Sequence, residues 1–358
     1  MRPYLRAVLT AAAVVAVLAI ALTVRSLIAF GVFTDVVPGF AGTCSAVAGV
    51  TGAEDIVIDE RSGLAFLSAF DRRAKAVGKP SPQDGLYAMP LAGPAHPVKL
   101  AGTPADFHPH GISIVRTPDG ALTLMAINHR GDGTSSVDIF AVTVKDGAAH
   151  LTETGSIQGG QLISPNAIAA LDANRFYVTN DHASATAFGR TLDDDLVLPR
   201  ANILYFDGTF FRVVASNVVY PNGAALSPDG RYLYVTESYN RRLTTFTRQP
   251  LAGTLDVAST LDIPSNLDNL RFDASGNLWI GTHPKAFAMA AYKADASKTA
   301  PSEIFKVTLA NGIPQNAVAV YTNLGDQISG SSVAAVTAHR LLIGSPFDNH
   351  ILDCTMDH

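Results

Sequence analysis

Two histidines, His110 and His129, have the residue type and spacing for proton transfer. His110 begins one apolar stretch, and His129 ends the next, about 19 residues later. Neighbouring antiparallel strands of this length bring both rings to the same end of a sheet. A buried histidine pair near carboxylates predicts a general base with a proton relay, although a histidine in an apolar strand is more often a packed core residue.

A second group of residues offers only oxygen donors at the starts of apolar stretches. Its members are Glu54, Asn166, Asn222, Asp268 and Asn269. Two carboxylates and three amides, without cysteine or a required histidine, favour Ca²⁺ over Mg²⁺ or Mn²⁺. Two carboxylates only balance the charge of the ion, which remains a Lewis acid. Taken singly, Glu54 is compatible with a solvated acidic turn. The Pro-Asn pairs that contain Asn166 and Asn222 are each compatible with an ordinary turn.

A strand–turn–strand repeat supplies the elements that would position these residues. In its clearest copy, residues 220–236, Asn222 precedes a small apolar strand, a Pro-Asp-Gly turn and a strand of alternating residues. Six copies follow one another roughly 45 to 65 residues apart, which predicts an all-β, six-bladed propeller. If the first strands line the axis, one mouth of the channel collects Glu54, His110, Asn166, Asn222, Asp268 with Asn269, and Ser331 with Ser332.

Other polar residues follow the second strands of these repeats. Asp181 is placed to orient a histidine of the site. His283 is placed either to line the same mouth or to lie at the surface. The acidic run at residues 193–195 is typical of a solvated loop. The sequence has no serine nucleophile elbow, phosphate-binding loop or zinc-ligand spacing.

Residues 1–35 differ from the propeller domain, residues 36–358. Arg2 and Arg6 precede an uncharged stretch of about 18 residues, which is just long enough to span a bilayer. The pattern predicts a hydrophobic helix, either a cleaved signal peptide or, slightly favoured, a retained membrane anchor; a buried core helix is the alternative. Because positive charge lies mostly before this stretch, the propeller is expected outside the cytoplasm, secreted or membrane-anchored. The net charge of −5, without a basic run, argues against nucleic-acid binding.

The chain has two cysteines, Cys44 and Cys354. In an exported protein such a pair predicts a disulfide, which here would join the N-terminal strand to the last blade. Closing a loop of about 300 residues stabilises the fold by at most about 5 kcal/mol through loop entropy. Two free buried thiols are the alternative.

With these motifs in view, the chain resembles the paraoxonase/arylesterase family of calcium-dependent lactonases over nearly everything after residue 40. The resemblance rests on nine motifs in order at matching spacing: residues 52–55, 109–113, 128–129, 179–182, 222–230, 268–269, 279–284, 330–331 and 341–344. The family implies a six-bladed propeller with a retained N-terminal hydrophobic segment and a disulfide between its ends.

The resemblance also implies roles for individual residues. The family's histidine dyad corresponds to His110 and His129. Its catalytic calcium corresponds to Glu54, Asn166, Asn222, Asp268 and Asn269. Its structural calcium would use Asp55, the backbone carbonyl of Ile112 and an acid directly after Asn166. That last position is Ala167, so one carboxylate of the second site is missing.

These observations predict a calcium-dependent hydrolase of small lactones and aryl esters, with possible lipid or membrane association through the N-terminal segment. Residues 72–84 and 286–302 are expected to be loops over the mouth that set specificity. Two alternatives stay open. One is a sugar-lactonase or strictosidine-synthase-like propeller enzyme, which would lack the paired histidines. The other is a non-catalytic, calcium-stabilised propeller that binds a partner or lipid.

Overall fold

Six antiparallel blades make up the propeller in the computed structural model, which describes residues 2–357. Blades 1 to 3 are Ala53–Asp59, Leu64–Ala69, Gly85–Pro90 and Val98–Lys99; Pro109–Arg116, Leu122–His129, Ser135–Lys145 and Ala148–Gln158; and Pro165–Ala170, Phe176–Asn180, Ala201–Phe206 and Phe211–Val218. Blades 4 and 5 contain Pro221–Leu226, Tyr232–Glu237, Arg242–Arg248 and Leu255–Asp262; and Leu267–Phe272, Leu278–Thr282, Ser302–Ala310 and Ile313–Asn323. The first three strands of blade 6 are Val333–Val336, Arg340–Gly344 and His350–Met356. The predicted six-bladed fold is confirmed.

The first strand of each blade faces the central channel. Each first strand contacts the first strand of the next blade, and the first strand of blade 6 contacts that of blade 1. The contacts thus form a closed ring. Successive copies of the sequence repeat therefore place their leading residues around one axis.

The N-terminal strands complete the last two blades. Gly39–Phe40 pairs with the outer strand of blade 5, and Gly42–Ala48 pairs with His350–Met356 as the fourth strand of blade 6. In that register Cys44 lies opposite Cys354, and the two form a disulfide across 310 residues of sequence. The predicted covalent closure of the ring is confirmed.

Six apolar clusters hold the blades together. Each lies between two neighbouring blades, because alternate residues of a strand point to the two faces of its sheet. Between blades 1 and 2, for example, Phe66, Ile112 and Phe140 are fully buried. The stacking of blades therefore provides the core of the protein.

Within residues 2–357, four helices accompany the strands: α1 (Arg2–Ala29), α2 (Arg72–Ala76), α3 (Ala187–Asp195) and α4 (Ala286–Ala294). The segments expected to be loops over the mouth contain α2 and α4. The acidic run expected to be a solvated loop is instead the end of α3, where Asp193 is buried against Arg200. That expectation was wrong because Thr186 caps a helix over these residues, and Arg200 and His182 contact the carboxylates of Asp193 and Asp194.

Helix α1 confirms the predicted N-terminal hydrophobic helix. Residues Pro3–Ala29 are long and apolar enough to cross a membrane, and their most apolar window is not buried against the protein; an N-terminal signal sequence meets the same criteria. Its end is fixed to the propeller, since Ser26 Oγ donates to the Asp195 carbonyl at 2.7 Å and Asn266 Nδ2 donates to the Ala29 carbonyl at 2.8 Å. The helix therefore meets the propeller beside α3.

Candidate active site

β-Bulges place the polar residues of the repeat at the channel mouth. The pairing of the first and second strands shifts register in each of blades 1 to 5, between Ala53/Asp55, Pro109/Ile112, Pro165/Ile168, Pro221/Ala224 and Leu267/Leu270. A bulge leaves a residue outside the ladder and turns its side chain. The predicted site residues Glu54, His110, Asn166, Asn222, Asp268 and Asn269 all lie within these intervals.

Two glycines let the first strands approach each other at this level. A Cβ on Gly111 would lie 2.4 Å from the Asn166 carbonyl oxygen, and a Cβ on Gly223 would lie 2.6 Å from the Asp268 carbonyl oxygen. Any other residue would push the strands apart. These glycines follow His110 and Asn222, and so they set the spacing of the site.

All five predicted oxygen donors are buried, with exposures between 0% and 5%. Each has one oxygen without a hydrogen-bond partner: Glu54 Oε2, Asn166 Oδ1, Asn222 Oδ1, Asp268 Oδ1 and Asn269 Oδ1. The amide nitrogens are engaged, since Asn166 donates to Asp181 at 3.0 Å, Asn222 to Ser238 Oγ at 3.2 Å, and Asn269 to Glu54 Oε1 at 2.6 Å. Buried acceptors without donors are uncommon and costly, and a cation would satisfy all five.

The chemistry of this donor set fits a hard divalent ion. In residues 2–357 no group of three or more His, Cys, Asp or Glu side chains is arranged to hold a metal ion, and this donor set combines two carboxylates with three amides. Such oxygen-only sets suit Ca²⁺. Burial and the Glu54 charge raise the pKa of Asp268 well above its usual range. Burial also acts to raise the pKa of Glu54, but His110, Arg72 and Asn269 outweigh it and the pKa lies below its ordinary value.

His110 and His129 are joined beside these donors. His110 Nδ1 lies 2.9 Å from His129 Nε2, and His110 Nε2 lies 3.6 Å from Glu54 Oε1. His129 Nδ1 lies 3.3 Å from Ser135 Oγ. Burial and the neighbouring His110 hold the pKa of His129 well below its ordinary value, so its ring is neutral near pH 7. The pair is arranged for proton transfer between its two facing nitrogens.

Asp181 is near the site but does not contact the histidine pair. It accepts hydrogen bonds from Asn166, from Ser164 and from His182 Nδ1, the last at 2.6 Å. Burial acts to raise the pKa of Asp181, but these partners outweigh burial and lower the pKa to about 2. His182 Nε2 lies 3.0 Å from Asp194. Burial alone would lower the pKa of His182, but the two carboxylates raise it to about 9. Asp181 therefore orients His182 and the amide of Asn166.

A cavity of about 690 Å³ lies over the donors and the histidine pair. His283 lines it, and burial lowers the pKa of its ring to about 4. Its Nδ1 lies 3.6 Å from Asp268 Oδ2 and has no hydrogen-bond partner. Ser331 and Ser332 instead bond to backbone, with Ser332 Oγ donating to the Glu54 carbonyl at 2.6 Å.

The surroundings of Asp55 do not fit a second ion. The Arg271 guanidinium contacts both carboxylate oxygens of Asp55 and donates to the carbonyls of Ile112 at 3.1 Å and Ile56 at 2.9 Å. Asp55 also accepts the amide N–H groups of Ile112 and Ile56. Burial raises its pKa to about 6, while Arg271 and these amides limit the rise. A guanidinium and the methyl group of Ala167 thus stand among the groups expected to bind an ion.

The sequence analysis missed the charged residues that reach the cavity from the helices. Arg72 comes from α2, Arg190 and Asp194 from α3, and Lys293 from α4. They lie outside the strand repeat, so its period did not indicate them. Arg72 and Lys293 lie in the segments expected to cover the mouth, and Asp194 lies in the acidic run, whereas nothing in the sequence pattern indicated Arg190.

Comparisons with known proteins identify the family of this chain. The Arylesterase family matches residues 94–356. Mouse serum paraoxonase/arylesterase 1 is 31% identical over 327 residues, covering 88% of this chain and 89% of the relative. The human protein of the same name is 30% identical over 315 residues, covering 85% and 86%. Regucalcin from Agrobacterium tumefaciens, whose structure is described as that of a calcium-binding protein, superposes with a TM-score of 0.50 at 14% identity over 89% of this chain and 96% of its own.

The regucalcin likeness shows the fold alone. The family match and the two mammalian relatives extend over most of the sequence, and they confirm the resemblance found from the motifs. The chain therefore belongs to the paraoxonase/arylesterase family, and it is a hydrolase of the esterase and lactonase class.

Proposed function

We propose that this protein is a calcium-dependent hydrolase of lactones and aryl esters. The observation that carries the proposal is the set of five buried, unpartnered oxygens beside the histidine pair. A Ca²⁺ ion held by Glu54, Asn166, Asn222, Asp268 and Asn269 would supply a Lewis acid for the substrate carbonyl oxygen. The donor chemistry, the family and the absence of any other assigned partner for these oxygens support this proposal.

The histidine pair would activate water. His110 Nε2 faces the cavity and accepts a proton from a water molecule, and the proton on His110 Nδ1 passes to His129 Nε2, 2.9 Å away. His129 is kept neutral at rest by burial, so it can take part in this relay. Ser135 and the neighbouring strand fix the orientation of the second ring.

The cavity limits the substrate to a small molecule. Its volume of about 690 Å³ lies within the range of ligand-binding pockets. Because it is lined by groups from α2, α3 and α4 as well as the blades, these helices would contact the parts of the substrate away from the carbonyl. The sequence has no run of basic residues of the kind that binds nucleic acid.

We further propose that α1 directs the propeller out of the cytoplasm and holds it at a membrane. The exposed apolar face of α1 and the attachment of its end at Ala29 support this proposal. Residues 1–35 would then be a retained anchor, with residues 36–358 as the hydrolase domain. Washing membranes with salt and then carbonate tests the anchor. An anchored full-length chain should stay with the membrane fraction.

Hydrolysis of phenyl acetate and of a simple γ-lactone by the full-length protein in detergent tests the activity. Turnover should vanish with excess EGTA and return with Ca²⁺. Glu54→Gln should remove turnover, whereas the exposed Glu60→Gln is the matched control. Folded, calcium-loaded protein without turnover on any ester or lactone would refute the enzymatic proposal and favour a binding propeller. Turnover on sugar lactones alone would favour the sugar-lactonase alternative.

A further inference from the structure

Arg72 presents an unsatisfied donor to the same cavity. Its Nη1 donates weakly to the Phe70 carbonyl at 3.4 Å, and its guanidinium carbon lies 5.0 Å from the centre of the Phe70 ring. Its Nη2 is buried and has no hydrogen-bond acceptor. The charges of Glu54, Asp268 and Asp84 act on this guanidinium, but in residues 2–357 no carboxylate forms an ion pair with it. A buried N–H group of a cation without an acceptor is costly, which indicates a missing acceptor at this point.

Apart from His283 Nδ1, the unpartnered groups at the cavity are of two kinds. The five oxygens described above need a cation, whereas Arg72 Nη2 needs an acceptor. Because Arg72 lines the same cavity as four of the donors, Glu54, Asn166, Asn222 and Asp268, a single ligand next to a bound ion can reach both kinds. The part of that ligand next to Arg72 on α2 must then carry an oxygen that accepts a hydrogen bond.

The charge of the cavity favours an anionic acceptor. A divalent ion would balance Glu54 and Asp268, and the charged His182 ring offsets much of the charge of Asp181 and Asp194. The remaining cations are then Arg72, Arg190 and Lys293. Arg190 is engaged by the carbonyls of Ser184 and Ile163, and Lys293 lies at the exposed rim. The excess positive charge is thus deepest at Arg72.

We propose that Arg72 binds a carboxylate of the substrate, so that the preferred lactones and esters are anions. The proposal rests on the hydrolytic function proposed above. Nη2 is the one guanidinium nitrogen of Arg72 that is both fully buried and without an acceptor in residues 2–357, and a single buried donor matches one carboxylate oxygen better than a phosphate with its three oxygens and higher charge. Arg190 and Lys293 would attract the anion towards the mouth.

A matched substrate pair tests this assignment. We would measure kcat/KM for 4-acetoxybenzoate and 4-acetoxybenzamide, and for a γ-lactone bearing a carboxylate or a carboxamide at C5. In Arg72→Gln the carboxylate-to-carboxamide ratio should fall roughly 10- to 100-fold for at least one pair, because a charge-assisted hydrogen bond is lost. Comparing ratios cancels the intrinsic reactivity of each ester. Lys75→Gln, which removes a charge from the same helix outside the cavity, should leave the ratio unchanged.

A binding measurement separates failure of this inference from failure of the proposed function. In the calcium-loaded full-length protein, benzoate should bind more tightly than benzamide, and Arg72→Gln should remove the difference. That result supports the carboxylate site even if no ester is hydrolysed. Equal binding of benzoate and benzamide, equal loss of both substrates in Arg72→Gln, or tighter binding of inorganic phosphate than of benzoate would each overturn it.

Discussion

Glu54 and Asp55 are neighbours in the chain, and both are almost completely buried, yet their carboxylates have opposite surroundings. Glu54 accepts from Asn269 through one oxygen, and its other oxygen has no partner. Both oxygens of Asp55 are engaged by Arg271 and by the backbone amides of Ile56 and Ile112. The bulge at Glu54 turns its side chain away from that of its neighbour, so the two carboxylates meet different partners.

The difference distinguishes a binding site from an internal support. Asp55 and Arg271 satisfy each other and tie blades 1, 2 and 5 together, so nothing further is needed there. At Glu54 the fold retains unsatisfied oxygens from blades 1, 3, 4 and 5 at a cost in stability. Such a cost is compensated when a ligand binds. Under the proposed function, a buried carboxylate stabilises the fold at Asp55 and contributes to a binding site at Glu54.

The largest expected effect comes from separating Asp55 and Arg271. Either Asp55→Asn or Arg271→Gln leaves a buried group without its partner, which should lower the free energy of unfolding by about 3–5 kcal/mol. Denaturant unfolding of each variant measures this loss. The double variant Asp55→Leu/Arg271→Met should recover much of it, because an apolar pair removes both charges together. Single variants as stable as the parent protein would contradict the supporting role.

Glu54 and Asp268 should behave in the opposite way. Glu54→Gln or Asp268→Asn should lower kcat/KM for phenyl acetate roughly 10²- to 10³-fold or more, because electrostatic stabilisation of the developing oxyanion is lost. For Asp268→Asn the ion-free form should be as stable as the parent protein or more so, because burial and the Glu54 charge disfavour the carboxylate at this position. Kinetic assays and thermal unfolding in EGTA measure the two quantities. Loss of stability with unchanged turnover would reverse the assignment.

His110→Gln tests the proton-transfer step separately from the ion. Turnover should fall roughly 10²-fold because the general base is lost, while calcium binding is retained because none of the five oxygen donors is changed. Calorimetric titration with Ca²⁺ and steady-state kinetics check both statements. The exposed His150→Gln serves as the matched control. If His110→Gln left lactone hydrolysis intact, the base would have to be another group.

The fold was predictable because the sequence repeats its pattern of polar residue, apolar strand, turn and second strand six times. The meeting of the five oxygen donors at one mouth was predictable for a related reason. A polar residue such as Asn166 or Asn222 at the start of an apolar strand has no packing role there. The bulges that aim these side chains were not predictable, because their polar residues also fit a regular strand.

The helices and their charged residues were not predictable from the repeat. Helix α2 has only five residues, and its Asp71 cap resembles an ordinary loop signal. Arg271 was missed for another reason: between Leu270 and Phe272 it fits the alternation of a strand, and alternation does not show which buried acid it will meet. Contacts between distant blades depend on the closed ring, which no local pattern contains.

The number of bound calcium ions most directly tests the difference between the surroundings of Glu54 and those of Asp55. Among the expected effects, that of ion binding on stability is the smallest. We expect calorimetric titration to show one Ca²⁺ per chain. At 100 times its Kd the ion should add only about 2.7 kcal/mol to the free energy of unfolding, so the protein stays folded in EGTA. The variant Ala167→Asp/Arg271→Gln restores an acid and removes the guanidinium, and it should bind a second ion. Two ions in the parent protein, or unfolding on chelation, would mean that Arg271 moves aside for a cation and that Asp55 belongs with Glu54 after all.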